Sequence, residues 1–237
     1  IIEDRDRARF YVDVMGHDIT NMNQVLLMNL ELMQTHCFIE QGQQKYIENS
    51  IKTLNNSLNV VDNIKIVQKV TGEEHEPIIM DIDRIIEECI NESKWPDIKK
   101  VNIEFSQGKG RIVKGLPFFK NAICNVIHYS IMNSGQEVNI NINILEYYSD
   151  NKKYYRIYIS DNGYGIPDEV KMNMFNSRYI GSSRSYDKGL ELYTAKVIID
   201  RMGGNLIIES REKNDHKKGN LFIITLPYIE NSKQHTL

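Results

Sequence analysis

Apolar residues recur every three or four positions near the start of the chain: Ala8, Val12, Met15, Ile19, Met22, Leu26, Leu30, Met33 and Cys37. This spacing predicts one long helix over residues 1–37. At about 100° per residue the nine positions fall in a stripe roughly 80° wide. So narrow a stripe is the seam of a bundle or coiled coil. His17 falls about 175° from the centre of that stripe, on the outer face. Gln41-Gly42-Gln43 reads as a turn, and a second helix is predicted over 43–70, with Ile47, Ile51, Leu54, Leu58, Val61 and Ile64 as its seam. Two narrow seams do not bury themselves within one hairpin. The expected arrangement is an antiparallel pair that joins a second copy in a four-helix bundle. The alternative is a monomeric hairpin packed on the rest of the chain.

The pattern then changes. Residues 71–77 (Thr-Gly-Glu-Glu-His-Glu-Pro) are polar and carry Gly and Pro, which marks a domain boundary. Helices are predicted over 82–95, 117–132 and 189–202. Strands are predicted over 101–105, 137–147, 153–160, 206–209 and 221–226. Val138, Ile140, Ile142 and Ile144 alternate most clearly. The polar stretch 165–188, rich in Ser and Gly, reads as a functional loop such as a lid. The expected fold class is therefore α+β. Residues 1–72 form the helical hairpin, 73–229 a mixed α/β domain, and 230–237 a disordered tail.

Composition narrows the partners more than the fold. The chain has 237 residues, 26% charged and 41% hydrophobic, with a net charge of -3. That balance argues against nucleic acid as a main partner. No apolar run is long enough for a bilayer, so no membrane contact is expected from this stretch. The chain opens Ile1-Ile2-Glu3 without Met and is expected to be a cytoplasmic piece cut from a longer protein. Cys37, Cys89 and Cys124 are far apart in sequence and are expected to be free thiols in a reducing compartment.

The chemistry concentrates at Asp161-Asn-Gly-Tyr-Gly-Ile-Pro167, directly after the alternating run Tyr155 to Ile159. Gly163 and Gly165 permit a turn with positive φ and close approach of a ligand. Asp161, at a strand end, is a fixed acceptor suited to an exocyclic amine such as that of adenine. A plain hairpin turn is the competing reading.

Four segments, taken in order, resemble the transmitter core of a sensor histidine kinase. In that family a dimerising, phosphoaccepting hairpin precedes a Bergerat-type ATP-binding α/β sandwich. Gly16-His17-Asp18-Ile19-Thr20-Asn21 is similar to the phosphoacceptor box. Asn125-Val126-Ile127-His128-Tyr129 stands where the Asn box belongs. Asp161 to Pro167 matches the first Gly box, and Asp187-Lys188-Gly189-Leu190-Glu191-Leu192 stands for the second, with Phe175 as the lid phenylalanine. The resemblance implies a homodimer that autophosphorylates on His17 and signals to a response-regulator receiver domain, with a sensor domain upstream. It implies catalytic roles for His17, Asp18 and Asn21. It implies an ATP site of Asn125, Tyr129, Asp161, Gly163, Gly165, Ile166, Lys188, Gly189 and Leu190, with Mg²⁺ held by Asn125.

Two positions depart from the family pattern. The second Asn of the Asn box falls on Tyr129 in one register; in another, Asn121 and Asn125 form the pair. Glu191 stands where the family has Gly, and its charge is expected to weaken ATP binding. The alternative function is therefore a kinase-like dimer, impaired in nucleotide binding, that acts as a docking scaffold or phosphatase.

Overall fold

The computed structural model describes residues 2–36, 41–72, 74–92, 99–108, 110–175, 186–213 and 215–229. Cys37, the middle of the expected lid (176–185) and the expected tail (230–237) lie outside the described residues. The chain divides into two compact units, Ile1–Glu73 and Glu74–Leu237.

In the first unit, α1 (Ile2–His36) and α2 (Gln41–Gly72) pack on one another as a hairpin. Gly16 faces α2: a Cβ there would stand 2.8 Å from Lys65 Cε. Asn23 Nδ2 donates to Ser57 Oγ across the pair at 2.7 Å. Ile47, Val61 and Val70 of α2 are buried, and Val61 lies by Gly16 of α1. Among the described residues of α1, several apolar side chains are not buried. Met22, Val25, Leu26, Met28, Leu32 and Met33 are all about half exposed in the single chain.

The second unit is built on a five-stranded sheet of order β2-β4-β5-β7-β6. Its strands are β2 (Lys100–Phe105), β4 (Glu137–Ser149), β5 (Lys152–Asp161), β6 (Asn205–Glu212) and β7 (Asp215–Pro227). β2 runs parallel to β4, and the other pairs are antiparallel. Alternation puts one row of side chains on the buried face. Ile142, Ile159 and Phe222 align across three strands, and Ile144, Ile157, Ile224 and Leu206 across four. Helices α3 (Ile82–Glu92), α4 (Phe119–Met132) and α6 (Tyr186–Arg201) form the layer joined to this sheet. A short helix, α5 (Asp168–Lys171), follows the first Gly box. The β4–β5 hairpin turns on Asp150 and Asn151, both with positive φ, as a two-residue hairpin of this twist requires.

Several boundaries differ from expectation. A two-stranded sheet of β1 (Ile78–Asp81) and β3 (Ile112–Gly115) was not predicted. Ile78 and Ile79 give it no apolar–polar alternation, and both are exposed. β7 begins six residues before the predicted Leu221, because the polar run from Asp215 pairs with β6. α6 begins at Tyr186, three residues before the predicted Gly189, since Tyr-Asp-Lys contains no helix breaker.

The cysteines also differ. Cys89 and Cys124 are joined as a disulfide, with Cα atoms 5.4 Å apart, and are not two free thiols. Cys89 lies on the α3 face that packs on α4, and Cys124 on the facing turn of α4. The 35-residue separation hides this from sequence spacing.

Candidate active site

Asp161 closes the buried row of β5. Tyr155, Ile157 and Ile159 point inward, so the period of two points Asp161 inward as well. Its side chain is buried, and hydrogen bonds fix it. Oδ1 accepts from the Gly163 N–H at 2.8 Å and from the Asn220 N–H at 3.0 Å. Oδ2 accepts from Asn220 Nδ2 at 3.2 Å. Asn220 is itself buried, and its Oδ1 has no hydrogen-bond partner among the described residues. Sequence reasoning missed Asn220, because a polar residue six positions into a polar run carries no strand signal.

The turn after Asp161 is not a hairpin turn: β5 passes through it into α5. Gly163 has no positive φ but is crowded. A Cβ there would stand 2.8 Å from both the Asn133 carbonyl oxygen and Ser134 Oγ. Gly165 has φ 68°, and a Cβ would run into the His216 carbonyl. Both glycines are therefore required by neighbouring protein, rather than by open space for a ligand. Ile166 is buried beside them.

α4 contributes Asn125, His128 and Tyr129, while Asn121 is exposed. Tyr129 is buried and meets Phe222 edge-to-face, with ring centroids 6.0 Å apart. Burial pushes its phenol far above the ordinary range, and the Asp161 and Glu191 carboxylates push it further. Asn125 Nδ2 donates to the Glu191 main-chain carbonyl at 3.2 Å, and His128 Nδ1 is 2.8 Å from Glu191 Oε1. Glu191 therefore meets α4 through both its backbone and its side chain. Leu190 is buried in the same turn of α6, and Gly189 is the fourth residue of that helix. The side chain of Lys188 lies outside the described residues. Phe175 is half-buried, with Lys196 Nζ 5.9 Å from its ring centre. A cleft of about 730 Å³ lined by Tyr148, Lys152, Tyr154 and Tyr228 lies at the other end of β5 and includes none of these residues.

On α1, His17 is exposed, with 72% of its side chain open to solvent. Its Nδ1 is 3.3 Å from Asp18 Oδ1. Asn21 Nδ2 lies 3.2 Å from Nδ1 and 3.4 Å from Nε2. Thr20 Oγ1 bonds back to the Gly16 carbonyl and leaves the ring free of it.

The chemistry of these groups can be tested against a nucleotide and its metal. Asp161 Oδ2 and the unpartnered Asn220 Oδ1 are neighbouring acceptors. They fit a ligand edge that donates N–H, as an exocyclic amine does. The Asn125 amide oxygen and the Glu191 carboxylate are hard oxygen donors, suited to Mg²⁺.

Residues 117–230 match the histidine kinase-, DNA gyrase B- and HSP90-like ATPase family. No curated protein matches the chain. Among solved structures, the mycobacterial sensor histidine kinase MprB matches at 20% identity and TM-score 0.51, covering 65% of this chain and 98% of that one. The catalytic domain of histidine kinase ThkA matches at 23% identity and TM-score 0.52, covering 65% and 96%. Full-length ShkA in complex with AMPPNP matches at 16% identity and TM-score 0.61, covering 92% of this chain and 45% of that one. Its match thus extends into the hairpin as well as the ATPase domain. Residues 117–230 thus resemble an ATPase family whose members bind ATP, and the chain shares its fold with solved sensor histidine kinases.

Proposed function

We propose that this chain is the cytoplasmic transmitter core of a sensor histidine kinase, which phosphorylates itself on His17 from ATP and passes the phosphoryl group to a response-regulator receiver domain. The observation that carries the reading is Asp161: a buried carboxylate held by two backbone N–H groups beside the unpartnered acceptor of Asn220, inside an ATPase-type domain. The exposed His17 on the hairpin supplies the acceptor.

The transfer uses the imidazole as nucleophile. With the Nδ1 proton hydrogen-bonded to Asp18, the Nε2 lone pair attacks the γ-phosphorus. The N–P bond forms as the P–O bond to the β-phosphate breaks, and the electron pair leaves on ADP. Asp18 holds the tautomer and stabilises the imidazolium that develops. Asn21, one turn on, steadies the ring and is placed to orient water when the regulator is dephosphorylated. Asn125 would hold the Mg²⁺ that accompanies the nucleotide, which would neutralise phosphate charge.

A second reading rests on Glu191. Its carboxylate sits against α4, bonded to His128. If it disables the pocket, the chain is a docking scaffold or phosphatase. One experiment separates the two. The chain is titrated with ATP and Mg²⁺ in a calorimeter, and then assayed for acid-labile phosphate. The kinase reading expects binding that is lost in Asp161→Ala and label that is lost in His17→Gln. Label surviving His17→Gln rules out the assigned acceptor, and no binding at millimolar nucleotide moves the scaffold ahead.

A further inference from the structure

We propose that Glu191 is a second oxygen ligand, beside Asn125, for the divalent cation that accompanies the nucleotide, and that it makes nucleotide binding by this chain strictly metal-dependent. The inference rests on the nucleotide reading above. By charge alone, Glu191 should only repel a triphosphate. Its surroundings argue for a more specific role.

Two side chains one turn apart on α4 grip this residue. Asn125 takes its main-chain carbonyl, and His128 takes Oε1. The carboxylate is mostly shielded, with 13% of its side chain exposed, and is turned toward His128. His128 engages one oxygen; among the described residues Oε2 makes no hydrogen bond. Glu191 lies on the turn of α6 that carries Leu190, against the α4 residues next to Tyr129. The Asn125 amide group that donates to Glu191 has its oxygen on the other branch. Asn125, with its amide oxygen, and the Glu191 carboxylate thus belong to residues that meet at the same α4–α6 junction.

Mg²⁺ is commonly held by one or two carboxylates plus substrate phosphate oxygens, with the rest of its shell left as water. A carboxylate and a polyphosphate that repel each other directly both attract a cation placed between them. Glu191 should therefore oppose metal-free ATP and favour the metal complex, two effects of opposite sign on one side chain. His128 acts as the orienting partner that fixes the ligand carboxylate.

The test is a calorimetric titration of the full chain with ATP, in Mg²⁺ and in EDTA, for wild type, Glu191→Gln and Glu191→Asp. Thermal unfolding confirms that each variant is folded. In wild type, binding is expected with Mg²⁺ and to be lost in EDTA. Glu191→Gln should weaken Mg²⁺-ATP about tenfold while tightening metal-free ATP, so that the metal dependence largely collapses. Glu191→Asp, which keeps the charge, should retain it in part. If Glu191→Gln binds Mg²⁺-ATP as well as wild type or better, the carboxylate is only repulsive or structural and the proposal is overturned. If neither wild type nor any variant binds ATP under either condition, the nucleotide reading itself fails and takes this inference with it.

Discussion

Asp161 depends on residues that never touch it with a charge. Gly219 has φ 107°, and a Cβ there would collide with the Asp161 main-chain carbonyl. Gly219→Ala is expected to lose about 1–2 kcal/mol from the left-handed backbone alone. It should also displace Asp161 and weaken ATP binding, and urea unfolding with a parallel ATP titration checks both. Wild-type values in both would show that the carboxylate is held by other means. Tyr129 makes the opposite point. By motif comparison it looks like a missing Asn, but the structure makes it a core residue against Phe222. Tyr129→Asn should therefore not restore a site. It is expected to cost about 3 kcal/mol through lost packing, whereas Tyr129→Phe keeps the ring and should unfold close to wild type. Equal unfolding midpoints for the two variants would contradict this account.

Between elements, α3 and α4 are tied twice. Lys120 on α4 bonds to Glu88 and Glu92 on α3, and Cys124 is bonded to Cys89. The ion pairs are partly solvated and contribute little. The disulfide closes a 35-residue separation, so its removal should lower stability by about 3–4 kcal/mol in the chain-entropy account. Unfolding with and without reductant measures this, and Cys89→Ala with Cys124→Ala should abolish the difference. A reductant effect that persists in the double variant would place it elsewhere. What was legible in the sequence follows the same division. The alternation of β4 and β5 could be read directly, and it already implied that Asp161 faces inward. The spacing of α1 likewise implied an outward His17. The Cys89–Cys124 bond and the β1–β3 pair could not be read, because both depend on contacts between elements distant in sequence. Asn220 was hidden for a related reason. Its strand is extended by pairing with β6 rather than by any apolar pattern of its own.

For the whole molecule the open question is what covers α1. Ile47, Val61 and Val70 of α2 are buried, yet Met22, Val25, Leu26, Met28, Leu32 and Met33 of α1 are about half exposed. Met22, Leu26 and Met33 belong to the narrow stripe read from the sequence, so the seam has a partner surface that one hairpin does not supply. A second copy matches it by construction, since a two-fold pairing sets the same stripe against itself. The chain is expected to be a dimer in sedimentation at micromolar concentration. Leu26→Glu puts a charge in the middle of the stripe and should shift it to monomer, because burying two unpaired carboxylates opposes association. The ATPase domain is a separate compact unit, so its calorimetric affinity for ATP should be unchanged in this variant. A wild-type chain that sediments as a monomer would mean that the stripe meets something other than a second copy. A Leu26→Glu chain that stays dimeric would mean that the pairing uses another face.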